Sequence, residues 1–471
     1  MCKPFFGTGN PPKLRDMENS FRWLEKTGLV ILVLLFFIWP IPRTISLRDL
    51  LLVLALCAFG YLAWRRDEVG RAIRHIAPPA GILMALTIWM YVVAIFISPE
   101  TSWALDEIQS QWLRGLASFA AGILVAAAAG RRADLGRKAL LAVFISLLVH
   151  AAYVDAMALY QWPQDWRQGG AFTRISGFAG GSDKSNYVTN ALFCFVFADL
   201  LIRRLRGKNL MPIGNGVLWA ALVLTLFSMF AERMRNGVIV FVALLMATVL
   251  FYLLGRKSRI GKTASMMSAA ALLVIALGGF ALAVFIKPVQ NPISVRNLLD
   301  TTAIAWDTEN HKAWQDEKKY GLPTLPSGET VDPSLYQRVA WFKQGLLLVA
   351  EHPLGVGFGR NAFGHGLKAK YGEGGGHSHS GMLDFTIGTG VPGTLLWLAF
   401  FASLAVPAYR RYRAAPDAAA ALLLLLLLDF GARMFLDSVI RDHMLQQFML
   451  LVGFASVIMM RGTQEKERSS A

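Results

Sequence analysis

The chain has 471 residues, of which 55% are hydrophobic and 17% are charged, and its mean hydropathy is +0.45. Soluble domains have an apolar share of about 45–50%, so this composition excludes an ordinary soluble protein. The formal net charge is +16, but most Lys and Arg residues stand in short clusters between apolar runs, which favours a membrane protein over a partner of nucleic acid.

Apolar runs recur along most of the chain. A bilayer core of about 30 Å needs roughly 20 apolar residues per helical span, so we predict an all-α polytopic membrane protein with about twelve transmembrane helices. The predicted spans are 27–42, 49–64, 79–97, 112–129, 138–160, 186–202, 213–231, 236–254, 264–286, 382–408, 416–434 and 443–460. The predicted regions are a leader (1–26), spans 1–9 (27–286), a large loop (287–378), spans 10–12 (379–460) and a tail (461–471).

The connecting loops alternate in charge. Basic clusters occupy the loops around residues 65–74, 131–138, 203–208, 256–262 and 410–413. The intervening loops differ, since 98–111 carries acids and neither Lys nor Arg. Because basic loops stay in the cytoplasm, both termini are predicted to be cytoplasmic and the large loop to lie outside.

Motifs for metal or nucleotide chemistry are missing from the sequence. The three cysteines, Cys2, Cys57 and Cys194, have no zinc spacing and no evident disulfide partner. The chain has no HExxH, Walker loop or Rossmann fingerprint, so we predict no metal and no cofactor. A transfer reaction outside the cytoplasm would then need an activated donor held in the membrane.

The seventh and eighth predicted spans are joined by a short hairpin that contains Arg233 and Arg235. Guanidinium groups match phosphate oxygens, so at least one of the two is a candidate anion ligand, although arginines at span ends also extend to lipid headgroups. Arg174 precedes a glycine-rich turn, with Lys184 nearby, where a helix N-terminus could hold an anion. Gly/Ser clusters also mark plain loops.

An amphipathic helix is predicted in the large loop. Asp332 followed by Pro333 is typical of an N-cap and a first helical position, and Pro353 ends the run. The apolar residues at helical spacing are Leu335, Val339, Phe342, Leu346 and Val349. Such a helix is expected to lie on the bilayer or over the spans, and it carries Arg338 beside its apolar face.

Two histidines, His377 and His379, precede the apolar run that begins near Met382. Histidine takes up and returns a proton near neutral pH, and Asp384, one to two turns further on, could orient an imidazole. The alternative is a polar pair that only marks where the helix leaves the bilayer.

These stretches resemble bacterial O-antigen ligases from about residue 170 to the end of the chain. Nine residues separate His379-Ser380 from Gly390-Val391-Pro392-Gly393, as in the family's histidine motif. The segment QRVAWFKQGLLLVAEHPLGVGFG is similar to the family's loop arginine helix and glycine turn, and MRNGVIVF is similar to its arginine hairpin. The resemblance implies His379 as general base, with His377 and Asp384 as accessory residues. Its implied donor-diphosphate ligands are Arg235, Arg338, Arg233 and Arg174, and Met234 and Asn236 leave open whether Arg233 or Arg235 is the main one.

The resemblance further implies a fold of the GT-C glycosyltransferase type in the bacterial inner membrane, with the large loop and the active site in the periplasm. The implied reaction is metal-independent, inverting transfer of a polysaccharide from undecaprenyl diphosphate to lipid A–core. Its implied partners are that lipid-linked glycan donor, the lipid A–core acceptor and membrane lipid. An O-antigen polymerase or a protein O-oligosaccharyltransferase of the same superfamily is an alternative, and a twelve-span transporter is the alternative from another class.

Overall fold

The structure, a computed structural model, describes residues 14–130, 133–169, 172–255, 295–372 and 376–470. These residues are mostly helical, and their sole β feature is a single bridge between Thr324 and Thr330. The helices are α1 Leu14–Ile38, α2 Ile45–Arg65, α3 Val69–Phe96, α4 Thr101–Glu107, α5 Leu113–Ala129, α6 Ala133–Arg167, α7 Ser182–Arg206, α8 Asn215–Glu232, α9 Arg235–Gly255, α10 Val295–Trp306, α11 Glu317–Tyr320, α12 Pro333–Glu351, α13 Ala362–Tyr371, α14 Gly381–Ala414, α15 Ala418–Leu436 and α16 Asp442–Ser470.

Nine candidate membrane spans stand out among the described residues by length and composition. They correspond to α2, α3, α4 joined to α5, α6, α8, α9, α14, α15 and the first part of α16. The predicted all-α polytopic membrane fold is therefore confirmed. The predicted spans 27–42 and 186–202 fall in α1 and α7, which are not among the nine, and 264–286 lies outside the described residues, so the number twelve stays a prediction.

Close helix packing in the bundle depends on small residues. A side chain at Gly122 of α5 would place its Cβ 2.0 Å from the Leu450 carbonyl oxygen of α16, and one at Gly453 would come 2.5 Å from the Phe119 carbonyl oxygen. The two backbones therefore touch directly, as is usual where small residues line helix interfaces in membranes.

The segment 98–111 was predicted as a connecting loop, and this prediction is wrong. Thr101–Glu107 is helical and continues through a π-helical turn, Ile108–Trp112, into α5. Its polar residues have distant partners that a local pattern does not reveal. Glu107 pairs with Arg360 at 2.8 Å, and the Gln111 side-chain oxygen accepts a hydrogen bond from the Asp442 backbone at 2.8 Å.

The predicted amphipathic helix is present as α12. The Asp332 carboxylate caps it by accepting from the Leu335 backbone at 3.0 Å, and Pro333 takes the first position. Its buried face differs from the predicted stripe, because Phe342 and Leu346 are each 45% exposed. The residues buried instead are Tyr336, Ala340, Gln344, Gly345 and Leu348.

The start of α14 is joined to the turn that follows α12 by backbone hydrogen bonds. Pro392 cannot donate to the carbonyl of Gly388 four residues earlier, and this carbonyl accepts from the Gly357 backbone at 2.9 Å instead. Gly390 has φ +69°, and a Cβ there would lie 2.3 Å from the Leu354 backbone. The glycine turn after α12, residues 354–359, therefore packs directly against the Gly-Val-Pro-Gly motif in α14.

The start of α14 and the end of α8 lie at the same end of the bundle as residues 295–372, and we call this end the loop face. The opposite end carries basic helix termini. There Arg203 at the end of α7 pairs with Asp199 at 2.8 Å, and Tyr412 near the end of α14 donates to the Phe251 carbonyl at 2.8 Å.

Candidate active site

The backbone around His379 is held in an unusual conformation. His379 has φ +61°, a left-handed conformation that is uncommon for residues other than glycine. Neighbouring serines fix it, because Ser380 caps α14 through the Leu383 backbone and Ser378 donates from its hydroxyl to the Ser380 carbonyl at 3.0 Å. The two serines are buried and the two histidines are half-buried, so the loop turns its imidazoles outward while its hydroxyls anchor it.

Asp384 supports this loop from within α14. Its carboxylate accepts from the Ser378 backbone at 2.9 Å and from the Ser438 hydroxyl at 2.8 Å. Ser438 in turn lies 3.2 Å from His377 Nδ1. The connection of Asp384 to the histidines therefore runs through the backbone of Ser378 and through Ser438.

The two imidazoles are neighbours with different surroundings. Their ring centroids are 4.3 Å apart, and the His379 backbone donates to His377 Nδ1 at 3.2 Å. Burial, followed by the charge of Arg441, lowers the pKa of His377 to about 4. Burial also lowers the pKa of His379, and Arg338 is the next cause. A lowered pKa keeps His379 neutral near pH 7, the form that accepts a proton.

Arg235 and Arg338 line the same cavity, although they are far apart in the sequence. The cavity has a volume of about 340 Å³. Arg235 is the exposed first residue of α9, and Arg338 lies in the second turn of α12. The rest of its wall is formed by Asn297, Leu298 and Thr301 of α10, by Leu325, and by the segment 329–335, which includes the acids Glu329 and Asp332. Two guanidinium groups beside one cavity form an arrangement suited to an oxyanion.

Arg233 is placed differently. It has φ +51° at the end of α8, and its guanidinium donates to the Phe172 carbonyl. It thus ties the hairpin to the segment before α7, while Arg235 faces the cavity. Between the two predicted hairpin ligands, this geometry favours Arg235.

A buried polar network holds the hairpin. Glu232, fully buried, accepts from Ser185 at 2.6 Å, from Asn186 at 2.7 Å and from Thr189 at 2.8 Å. The Asn236 side chain donates to the Leu436 carbonyl at the end of α15 at 2.8 Å. Because α15 leads into Ser438, which contacts His377, the hairpin and the histidine loop share one support.

The network continues into α15. The side-chain oxygen of Asn186 accepts from buried Arg433, whose Nε lies 4.0 Å from Asp429. Asn186 therefore bridges a buried carboxylate and a buried guanidinium, each of which would be costly to leave unpaired.

Arg174 is not brought to this cavity. It lies exposed in the extended segment before α7, and it does not contribute to the wall that Arg235 and Arg338 share. Lys184 pairs with Asp442 at 3.2 Å.

Sequence reasoning missed Glu232 and Trp341. Trp341 stacks on His379 with centroids 5.5 Å apart and planes 7° from parallel. The sequence signal for Glu232 is an acid at the end of an apolar run, directly before the arginine hairpin and shortly before Asn236-Gly237. Such an acid could have indicated a buried hydrogen-bonded contact. The spacing of Trp341 three residues after Arg338 could have placed both on one helix face.

Among the residues that the structure describes, no three His, Cys, Asp or Glu side chains cluster in a way that could hold a metal ion. The fold and the site together define a polytopic α-helical membrane protein with a histidine and two arginines at one end of its bundle. Residues 220–398 match the family model described as O-antigen ligase. The match assigns this part of the chain, from α8 into α14, to the O-antigen ligase superfamily and confirms the resemblance seen in the motifs. No curated protein matches the chain.

Proposed function

We propose that the protein is an O-antigen ligase, which transfers a glycan en bloc from undecaprenyl diphosphate to a sugar hydroxyl of lipid A–core. The family match supports activity of the ligase or polymerase type. The observation that carries the proposal is the shared cavity of Arg235 and Arg338, together with the charge of Arg338 acting on His379. The proposed site faces the periplasm, in the inner membrane.

The proposed reaction is a single displacement. The acceptor hydroxyl oxygen forms a bond to the anomeric carbon of the donor while the bond from that carbon to the diphosphate oxygen breaks. His379 takes the hydroxyl proton, and undecaprenyl diphosphate leaves with the bonding electron pair. One displacement inverts the anomeric configuration.

The arginines act on the charge that develops on the leaving group. Positioned donors that meet an oxyanion in the transition state are worth roughly 3–4 kcal/mol each in known enzymes. Arg235 and Arg338 supply such donors from two different elements, α9 and α12. No metal ion is needed for this stabilisation in the proposed mechanism.

The test is a transfer assay with purified full-length protein, lipid-linked donor and lipid A–core, carried out in chelator without nucleotide. We expect His379→Ala to lose at least about 100-fold in rate, the usual contribution of a general base. His352→Ala, an exposed histidine directly after α12, is the matched control and is expected to retain most activity. Undiminished transfer by His379→Ala would refute the proposed base.

Product analysis separates the ligase from its rivals. A ligase modifies lipid A–core and leaves the donor glycan at its original length. A polymerase lengthens the lipid-linked glycan in the absence of acceptor, and a transporter moves donor across proteoliposomes without any transfer. Either result would replace the proposed function.

A further inference from the structure

Trp341 lies against the catalytic candidate His379 without an assigned role. The two rings are nearly parallel, 7° apart, with centroids at 5.5 Å, which is an offset-stacked geometry. On another side of His379, the His377 ring meets it edge-on at 4.3 Å and 77°. These two contacts together restrict rotation of the His379 imidazole.

The indole is itself fixed by the loop region. Its Nε1 donates to the Trp314 carbonyl at 3.0 Å, and its ring contacts Phe363 at 6.1 Å. Tyr336, five residues earlier on α12, donates to the His311 carbonyl at 2.8 Å. Trp341 therefore presents a rigid surface to His379.

Arg338 lies one turn before Trp341 on α12, so both side chains project from the same face. One of them lines the anion cavity and the other stacks on the histidine. Since α12 is a single helix from Pro333 to Glu351, a shift that misplaces one side chain also misplaces the other.

We propose that Trp341 is a positioning residue, which holds the His379 imidazole in the orientation for proton transfer and couples it through α12 to the donor site at Arg338. This inference rests on the proposed function. It gives the loop helix two tasks, because seating the donor diphosphate on Arg338 also aligns the base.

The charged and titratable groups that act on His379 come from several elements. Arg338 belongs to α12, Asp437 and Arg441 to the segment between α15 and α16, and Asp183 to α7; His377 contacts its ring. Burial is the largest cause of the lowered pKa. Removing the indole exposes the imidazole to water and raises its pKa toward 6.5.

The test compares Trp341→Leu and Trp341→Phe in the transfer assay, with Phe342→Leu as the matched control on the exposed side of the same helix. We expect Trp341→Leu to lower kcat about 10- to 100-fold, as misorientation of a catalytic group does, with the donor KM within about twofold. The acid limb of its pH–rate profile moves to higher pH. Trp341→Phe keeps a flat ring and restores most of kcat and the wild-type profile.

A second measurement does not depend on activity. Diethyl pyrocarbonate modifies neutral, accessible imidazoles, and in a His377→Ala background its rate at His379 is read by mass spectrometry. We expect faster modification in Trp341→Leu than in Trp341→Phe, each checked for folding by size-exclusion chromatography. The inference is overturned if Trp341→Leu keeps kcat, pH profile and modification rate, or if Trp341→Phe is as impaired as Trp341→Leu. Failure of the proposed function gives a different result, because His379→Ala would then keep full transfer activity.

Discussion

Replacing Gly237 with alanine places a methyl group against the side chain of Asn186. The new Cβ would lie 1.9 Å from the Asn186 oxygen and 2.5 Å from its nitrogen. Neither distance is tolerable, so Asn186 has to leave Glu232 or Arg433. The hairpin that carries Arg235 loses its internal support.

The magnitude follows from two costs. A lost hydrogen bond to a charged group costs about 1.5–3 kcal/mol, and overpacking a filled interior costs about 1–3 kcal/mol. Their sum is roughly 2.5–6 kcal/mol, which at about 2 °C per kcal/mol for a large chain lowers Tm by roughly 5–12 °C.

The assay is thermal unfolding of the detergent-solubilised protein, followed by Trp fluorescence, together with the transfer rate. Gly216→Ala is the control, because a Cβ at Gly216 in the first turn of α8 meets nothing within 4 Å and alanine favours a helix. In an Asn186→Ala background both the clash and the hydrogen bonds that it breaks are already gone, so Gly237→Ala should there cost about 2.5–6 kcal/mol less than in the wild-type protein. Equal costs in both backgrounds, or an unchanged Tm, would refute the reasoning.

Two further predictions concern the cavity and the base. Arg235→Lys and Arg338→Lys keep the charge but lose the planar guanidinium group, so kcat/KM should fall about 10- to 100-fold, for a loss of about 1–3 kcal/mol. Arg174→Lys, at an exposed position, should keep kcat/KM within about twofold. Equal losses in all three variants would contradict the shared cavity. The transfer rate should depend on neutral His379 and decline as the pH falls through its pKa, which burial holds below 6.5. An acid limb centred above pH 6.5, measured from pH 4 to 9, would contradict this environment.

Local sequence patterns predicted the features that depend on near neighbours. The cap at Asp332 and the helix that it begins follow from side-chain to backbone bonds within one turn. The position of His379 just before a long helix also follows from the local sequence, because a polar stretch ends there and an apolar run begins. That Arg235 and Arg338 bind the same diphosphate was implied by the family resemblance alone, since no local pattern joins residues so distant.

Features that arise from tertiary contacts were not predictable in this way. Glu107 and Gln111 look like loop residues until Arg360 and Asp442 are brought beside them. Similarly, the predicted apolar face of α12 includes Phe342, but contacts with α10 and α14 determine which face of α12 is buried. The left-handed backbone of His379 has only a weak signal in its residue type, because histidine is enriched at positive φ but still adopts it rarely.

The buried charges of α15 bear on how the chain is assembled in a membrane. Asp429 lies near the middle of α15, where an acid costs about 2.5–3.5 kcal/mol to insert, and Arg433 in the last turn adds a further, smaller cost. A leucine contributes about −0.3 to −0.6 kcal/mol. The seven leucines from Leu422 to Leu428 therefore offset only about 2–4 kcal/mol of that cost. On leaving the translocation machinery, α15 alone is a marginal span. It becomes a stable span when Arg433 hydrogen-bonds to Asn186. Asn186 is already in place, because α7 and α8 are synthesised before α15.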